Sequence, residues 1–211
     1  MRAGALGADF SPHREYFLKK IFLAVLAASG VMGSCWASEW SPFLGGGLTA
    51  GGDKLNRDPL VYVNGNSENL HGGGLIDLRA GLDFRMVNSD ISLQGVVAYH
   101  TDRSNADNGS VDFTRMPIEF LVQWHANPKW AFAGGIRKAL EAKYNGSGAG
   151  TQFGSDKKYK SSMGWILEGE YAITPSVGLK ARYVKEDYTS RATGEKADGS
   201  HFGLLGVYYF R

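Results

Sequence analysis

Residues 74–87 read GLIDLRAGLDFRMV, and this stretch decides the fold because polar and apolar side chains alternate along it. All four charges, Asp77, Arg79, Asp83 and Arg85, fall on one face, while the other face is apolar or glycine. A period of two predicts a β-strand whose side chains point alternately to opposite sides. A soluble barrel would turn the apolar face inward, whereas a membrane barrel turns it toward lipid and encloses the charges.

The same alternation recurs along the chain and predicts an all-β fold, an eight-stranded antiparallel up-and-down transmembrane β-barrel. The predicted strands cover residues 40–51 (resuming at 60–63), 70–86, 91–101, 111–125, 129–142, 159–173, 177–187 and 200–210. Tight turns at 88–89, 127–128 and 175–176 alternate with long polar loops at 53–73, 102–110, 143–158 and 188–199. Short periplasmic turns and long outer loops are the expected asymmetry of an outer-membrane barrel.

The first 37 residues have the pattern of a leader with a cleaved signal peptide. Two lysines, Lys19 and Lys20, precede a short apolar run, and Ala37 ends a small-residue cleavage site. We therefore expect a leader over residues 1–37, with a true start at Leu18, and a barrel domain over residues 38–211. Lipidation at Cys35 stays open as an alternative.

The charge balance of the mature chain is neutral. Removing the leader takes four basic and two acidic residues from totals of 23 and 21, so no nucleic-acid partner is indicated. The charged residues that fall on the inward register are seven acids and six bases: Asp77, Asp83, Glu119, Glu141, Glu168, Glu170, Glu186, Arg79, Arg85, Arg115, Arg137, Lys180 and Arg182. Eight strands enclose a lumen just wide enough for side chains, so we expect these charges to pair as a structural network. An ion or proton path through the lumen is the alternative.

Two further features bear on the barrel. Aromatic residues fall near both ends of the strands, which predicts two girdles at the membrane interfaces. Pro117 lies inside a predicted strand, where it would forfeit a ladder hydrogen bond, so we expect a β-bulge near residues 115–117.

Taken together, the signal peptide, the alternation, the turn asymmetry and the C-terminal aromatic strand (Phe202, Leu204, Gly206, Tyr208, Phe210) resemble the small bacterial outer-membrane barrels typified by the OmpA transmembrane domain and OmpX. The resemblance covers residues 38–211, and Arg211 departs from it because such chains usually end on the aromatic residue. It implies a monomer in a Gram-negative outer membrane, with the lipid bilayer, lipopolysaccharide and the barrel-assembly machinery as partners.

The sequence nominates no catalytic, cofactor-binding or metal-binding residue, and the most defensible role is structural or surface-interacting. A lipid A-modifying acyl hydrolase or acyltransferase is the alternative, because His100 with Asp102, and His201 with Ser200 and Asp198, are predicted at the outer rim. A narrow channel and a soluble lipocalin-like binder are further alternatives. Residues Lys157, Lys158 and Lys160 are candidates to contact lipopolysaccharide phosphates.

Overall fold

The structure is a computed structural model that describes residues 39–53, 60–61, 67–68, 74–106, 109–148 and 157–211. All the regular secondary structure within these ranges is β-strand: β1 Glu39–Gly51, β2 Leu60–Val61, β3 Ser67–Glu68, β4 Leu75–Arg85, β5 Ile91–Ala106, β6 Gly109–His125, β7 Trp130–Gly148, β8 Lys157–Ser161, β9 Gly164–Ala172, β10 Val177–Lys185, β11 Asp187–Ser190, β12 Lys196–Asp198 and β13 His201–Tyr209. No helix among the described residues is long and apolar enough to cross a membrane. The predicted leader, the cleavage site, Cys35 and the start at Leu18 lie outside the described residues.

Eight of the strands close into a barrel. Hydrogen-bonded neighbours run in the order β1, β4, β5, β6, β7, β9, β10, β13 and back to β1, and every pairing is antiparallel. The seam between the first and last strands is a full ladder that runs from the pair Phe43 and Tyr209 to the pair Gly51 and His201. The predicted eight-stranded antiparallel barrel is confirmed.

Beyond the closed barrel, the sheet continues on one side at the long-loop end. Strands β5, β6 and β7 extend into it, and β8, β11 and β12 add to it in the order β7, β8, β11, β12. We call this part the extension: residues 102–114 and 141–148 together with β8, β11 and β12. The predicted loops at 102–110, 143–158 and 188–199 are therefore largely strand within the described residues. The polar composition of these segments led to the prediction of loops, because a sheet face exposed to water also carries polar side chains.

One predicted strand limit is wrong: residues 60–61 do not resume β1, because β2 and β3 pair only with each other among the described residues. The strand predicted over residues 70–86 is described over Leu75–Arg85, and residues 70–73 lie outside the described residues. The Asn64-Gly65 turn signal that suggested a hairpin here lies outside the described residues. The tight turn after β4 agrees with prediction, and Asn88 adopts a left-handed φ of 53° that asparagine tolerates.

The faces of the barrel strands are oriented as the alternation predicts, with apolar side chains outside and charges inside. Leu78 and Val122 are 54% and 53% exposed, whereas Arg79 and Glu119 are 4% and 0% exposed. Aromatic rings pack along the outside near the short-turn end, as Trp40 does on Phe84. A second group lies near the other end: Trp165, Tyr183 and Phe202. Both predicted aromatic positions are confirmed.

A β-bulge interrupts the pairing of β6 with β7, as Pro117 led us to expect. Met116 pairs with Glu141 and Pro117 with Ala139, so Leu140 is an extra residue on β7. The bulge reverses the alternation of β7 beyond this point: Leu140 and Glu141 are exposed and Ala142 is buried. The expectation that Glu141 points inward is therefore wrong.

Candidate functional site

The interior of the barrel is a network of charged side chains, and its centre is two arginines that share three carboxylates. Arg79 lies 2.7 Å from Asp77, 3.4 Å from Glu119 and 3.4 Å from Glu168. Arg182 approaches the same three carboxylates at 3.7, 2.9 and 3.4 Å respectively. All five side chains are at most 5% exposed. Strands β4, β6, β9 and β10 contribute them, so the central cluster ties together strands that lie around the barrel.

Toward the long-loop end the network continues through Arg137. Its guanidinium lies 3.2 Å from Glu119 and 3.2 Å from Glu186, and Glu186 in turn lies 3.6 Å from Arg115. The Tyr188 hydroxyl donates a hydrogen bond to Glu186. Tyr188 belongs to the extension, so this bond joins the charged lumen to the sheet that rises above it.

Toward the short-turn end the network continues through Lys180. Its ammonium lies 3.2 Å from Glu168 and 3.5 Å from Glu170, and it donates a hydrogen bond of 3.0 Å to Gln94. The Tyr209 hydroxyl donates a 2.8 Å hydrogen bond to Glu170. Of the thirteen predicted inward charges, Glu141 faces outward and ten lie in one network: Asp77, Arg79, Arg115, Glu119, Arg137, Glu168, Glu170, Lys180, Arg182 and Glu186.

The other two predicted site residues, Asp83 and Arg85, lie outside these ion pairs. Asp83 is buried and accepts hydrogen bonds from Ser92 at 2.8 Å and Gln94 at 3.0 Å. Arg85 is half-buried at the short-turn end of β4, where it lines a cavity. Neither has an oppositely charged side chain within 4 Å among the described residues.

An aromatic cluster lies above the network, inside the extension. Phe113 and Tyr188 are fully buried and meet edge to face, and Tyr144 and Tyr159 complete the cluster with small apolar neighbours. The Arg115 guanidinium lies 5.2 Å from the Phe113 ring centre, so a cation–π contact covers the upper end of the charged chain. Sequence reasoning missed this cluster because it placed Tyr144 and Tyr188 in loops, apart from the strands that carry Phe113 and Tyr159. The alternation of Val111 and Phe113 with polar residues was the signal available.

The histidines do not form the rim site that the enzyme alternative requires. His100 and His201 are buried in the lumen, at 0% and 1% exposure, with their ring centres 4.9 Å apart. His100 bonds Thr49 at 2.6 Å, and His201 Nδ1 donates to the Gly199 carbonyl at 2.8 Å. The Ser200 hydroxyl donates to Asp198 instead of to a histidine. Both residues lie near the long-loop end of the barrel strands, as predicted, but their rings are buried on the inside, and no serine–histidine contact joins these residues.

The outer face of the extension carries aligned basic side chains from neighbouring strands. Lys143 on β7 pairs in register with Lys158 on β8, and the Arg191 amide donates to the Lys158 carbonyl. In the next row, Lys160 lies opposite Thr189, which lies opposite Lys196. Lys158, Lys160, Arg191 and Lys196 are exposed and have no carboxylate within 4 Å among the described residues, whereas Lys143 is paired with Glu141. We call these five residues the basic rows.

The structure resembles solved outer-membrane barrels. Ail, the attachment invasion locus protein of Yersinia pestis, solved in complex with the heparin analogue sucrose octasulfate, has a TM-score of 0.50 at 15% identity over 83% of this chain and 100% of that one. Neisserial surface protein A has a TM-score of 0.52 at 12% identity over the same shares. No protein-family model and no curated protein sequence matches the chain. The chain therefore has the fold of the small outer-membrane eight-stranded barrels, and the resemblance drawn from the sequence is confirmed.

Proposed function

We propose that this chain is a monomeric outer-membrane protein of a Gram-negative bacterium with a structural and surface-interacting role. In this proposal the barrel is the anchor, the signal peptide is cleaved, the barrel-assembly machinery inserts the chain, and the extension stands outside the cell. The extension contacts lipopolysaccharide through the basic rows.

The observation that carries the proposal is the inverted distribution of polarity in the barrel. Large apolar side chains such as Leu78, Phe120 and Leu204 are more than half exposed, while eleven charged side chains among the described residues are buried in the lumen. Soluble monomers rarely expose a contiguous apolar surface larger than a few hundred Å². A belt that runs around the whole barrel needs a hydrocarbon solvent, which also argues against the soluble lipocalin-like alternative.

The lumen supports a closed barrel in preference to a channel. Its cations and carboxylates are buried, lie within 4 Å of each other and connect the strands across the interior. Opening a path would separate charges that are already desolvated, and breaking one buried pair costs about 3–5 kcal/mol.

The basic rows support an anionic partner at the outer membrane surface. Lys143 and Lys158 are directly opposite each other, and like charges in that position destabilise a sheet unless something neutralises them. Glu141 neutralises Lys143, at 2.5 Å, but Lys158 and Lys160 have no such carboxylate among the described residues. Phosphate groups are strong partners for such cations. The polyanionic sugar in the Ail complex is a ligand of the same chemical class, bound by a protein of the same fold.

Two measurements test the proposal. The protein refolded in detergent should run faster on a gel before boiling than after it, and it should leave the membrane fraction only with detergent. Binding to vesicles that contain lipopolysaccharide should weaken severalfold in Lys158→Gln. Lys129→Gln, a charge-matched control at a short turn, should bind as the unmodified protein does. Equal weakening by both variants would overturn the role of the basic rows, and solubility without detergent would overturn the membrane anchor.

A further inference from the structure

The short-turn end of the barrel opens into a cavity of about 590 Å³. The turns at 126–129 and 173–175 form part of its wall, together with inward-facing residues such as Ala131 and Tyr209. Pockets that hold small molecules typically measure about 300–1,000 Å³, so this one has room for a small organic ligand.

An unusual carboxylate lies in the wall of the cavity. Asp83 is 3% exposed, and its hydrogen bonds come only from neutral donors, Ser92 and Gln94. Five other buried carboxylates, Asp77, Glu119, Glu168, Glu170 and Glu186, each have a lysine or arginine nitrogen within 3.5 Å. No cation lies within 4 Å of Asp83 among the described residues. A buried carboxylate without a cation is costly, and an ammonium group that entered the cavity would relieve this cost.

Unmatched positive charges also line the cavity. Arg85 follows Asp83 by two residues on the same face of β4, and Arg211 lies nearby with its guanidinium 5.2 Å from the Tyr209 ring centre. Neither arginine has a carboxylate side chain within 4 Å among the described residues. Guanidinium groups are well suited to bind carboxylates in a two-pronged geometry.

The spacing of the two residues suits a ligand of dipeptide length. Two residues of a strand rise about 7 Å, which separates the backbone positions of Asp83 and Arg85 along the strand. An extended dipeptide has about the same reach, at up to about 3.6 Å per residue.

We propose that this cavity binds a short zwitterionic peptide, with its ammonium group on Asp83 and its carboxylate on Arg85 and Arg211. The inward-facing Ala131 and Tyr209 would contact the body of the peptide. This inference does not depend on the basic rows, which lie at the opposite end of the molecule.

The test is a titration with glycylglycine. The isotope-labelled full chain is refolded in detergent micelles, and its amide chemical shifts are measured by NMR at each step of the titration. We expect saturable shifts at the amides of Asp83 and Gln123. N-acetyl-glycylglycine lacks the ammonium and glycylglycinamide lacks the carboxylate, so each should bind at least tenfold more weakly. Equal binding of all three probes, or no saturable shift with glycylglycine, would overturn the proposal.

Two variants separate the proposed contacts from a general effect on the barrel. Asp83→Asn should weaken the binding of glycylglycine at least tenfold but leave the already weak binding of N-acetyl-glycylglycine unchanged. Arg85→Gln should likewise weaken the binding of glycylglycine but leave the already weak binding of glycylglycinamide unchanged. Asp112→Asn, which changes a carboxylate in the extension, is the matched control and should bind like the unmodified protein. If Asp83→Asn does not refold, the comparison of the three probes on the unmodified protein decides the question alone. Retained tight binding in a folded Asp83→Asn variant would contradict the inference.

Discussion

Replacing Glu119 by glutamine removes the carboxylate that three arginines share. Arg182 lies 2.9 Å from Glu119, Arg137 lies 3.2 Å from it and Arg79 lies 3.4 Å from it. The amide keeps one acceptor oxygen and nearly the same shape, but it places an NH₂ group and no charge among three desolvated cations. Breaking a buried ion pair in this way costs about 3–5 kcal/mol. Since Arg79 and Arg182 retain Asp77 and Glu168, we expect about 3 kcal/mol, the lower end of that range.

The assay is reversible urea unfolding in lipid vesicles, with folded and unfolded fractions read from gel mobility without boiling. Glu141→Gln is the matched control, because that carboxylate is half exposed and paired only with Lys143. An exposed pair contributes about 0–1 kcal/mol, so the control should stay within 1 kcal/mol of the unmodified protein. The reasoning fails if Glu119→Gln loses no more stability than Glu141→Gln does.

Three further predictions follow from the barrel wall and the rim. Phe120→Arg places a charge on the lipid face, where the ring is 63% exposed, and should destabilise the barrel by about 2–4 kcal/mol in the same urea assay. Gly47→Ala should impair barrel closure, because its Cβ would lie 2.1 Å from the Leu204 carbonyl oxygen; Gly206→Ala meets nothing within 4 Å and should fold normally, as judged by gel mobility. At the rim, burial raises the pKa of the Asp198 carboxyl, but hydrogen bonds from Ser200 and Lys185 outweigh it and hold the pKa below its usual value. A depressed folded-state pKa gives stability that is present above about pH 4 and is lost as the pH falls through the folded value. The protection of the Ser200 amide against exchange, relative to an unstructured peptide at the same pH, should therefore decrease there, and Asp198→Asn should remove that pH dependence.

The barrel could be predicted from the sequence because each strand carries its own signal. In a strand such as β4, the alternation of polar and apolar residues shows which face contacts lipid and which faces the lumen, without reference to distant residues. The inward set of charges followed from that register except at Glu141, which the β-bulge turns outward. The sequence did not show which cation pairs with which carboxylate. Arg79 and Arg182 contact the same three carboxylates because of how four strands are arranged around the lumen.

The strands of the extension and the burial of the histidines could not be predicted from the sequence, for different reasons. The extension strands carry polar residues on their outer face, and Phe113, Tyr144 and Tyr188 make a core only after three separate segments pair. Strand ends also decide whether a residue lies at a rim or below it. Because β5 extends to Ala106, His100 is buried near the long-loop end of the β4–β5 ladder instead of being exposed at a rim.

The extra residue on β7 has a consequence for how the molecule can vary. On the short-turn side of Leu140 the inner face of β7 places Arg137 in the ion-pair network. On the other side of Leu140 the inner face of the same strand places Tyr144 in the aromatic cluster. If the bulge straightened with Leu140 retained, strict alternation would turn Glu141 and Lys143 into the aromatic cluster, whereas deleting Leu140 would leave Ala142 and Tyr144 facing inward. The bulge thus absorbs one additional residue in β7 and keeps the cluster residues on the inner face.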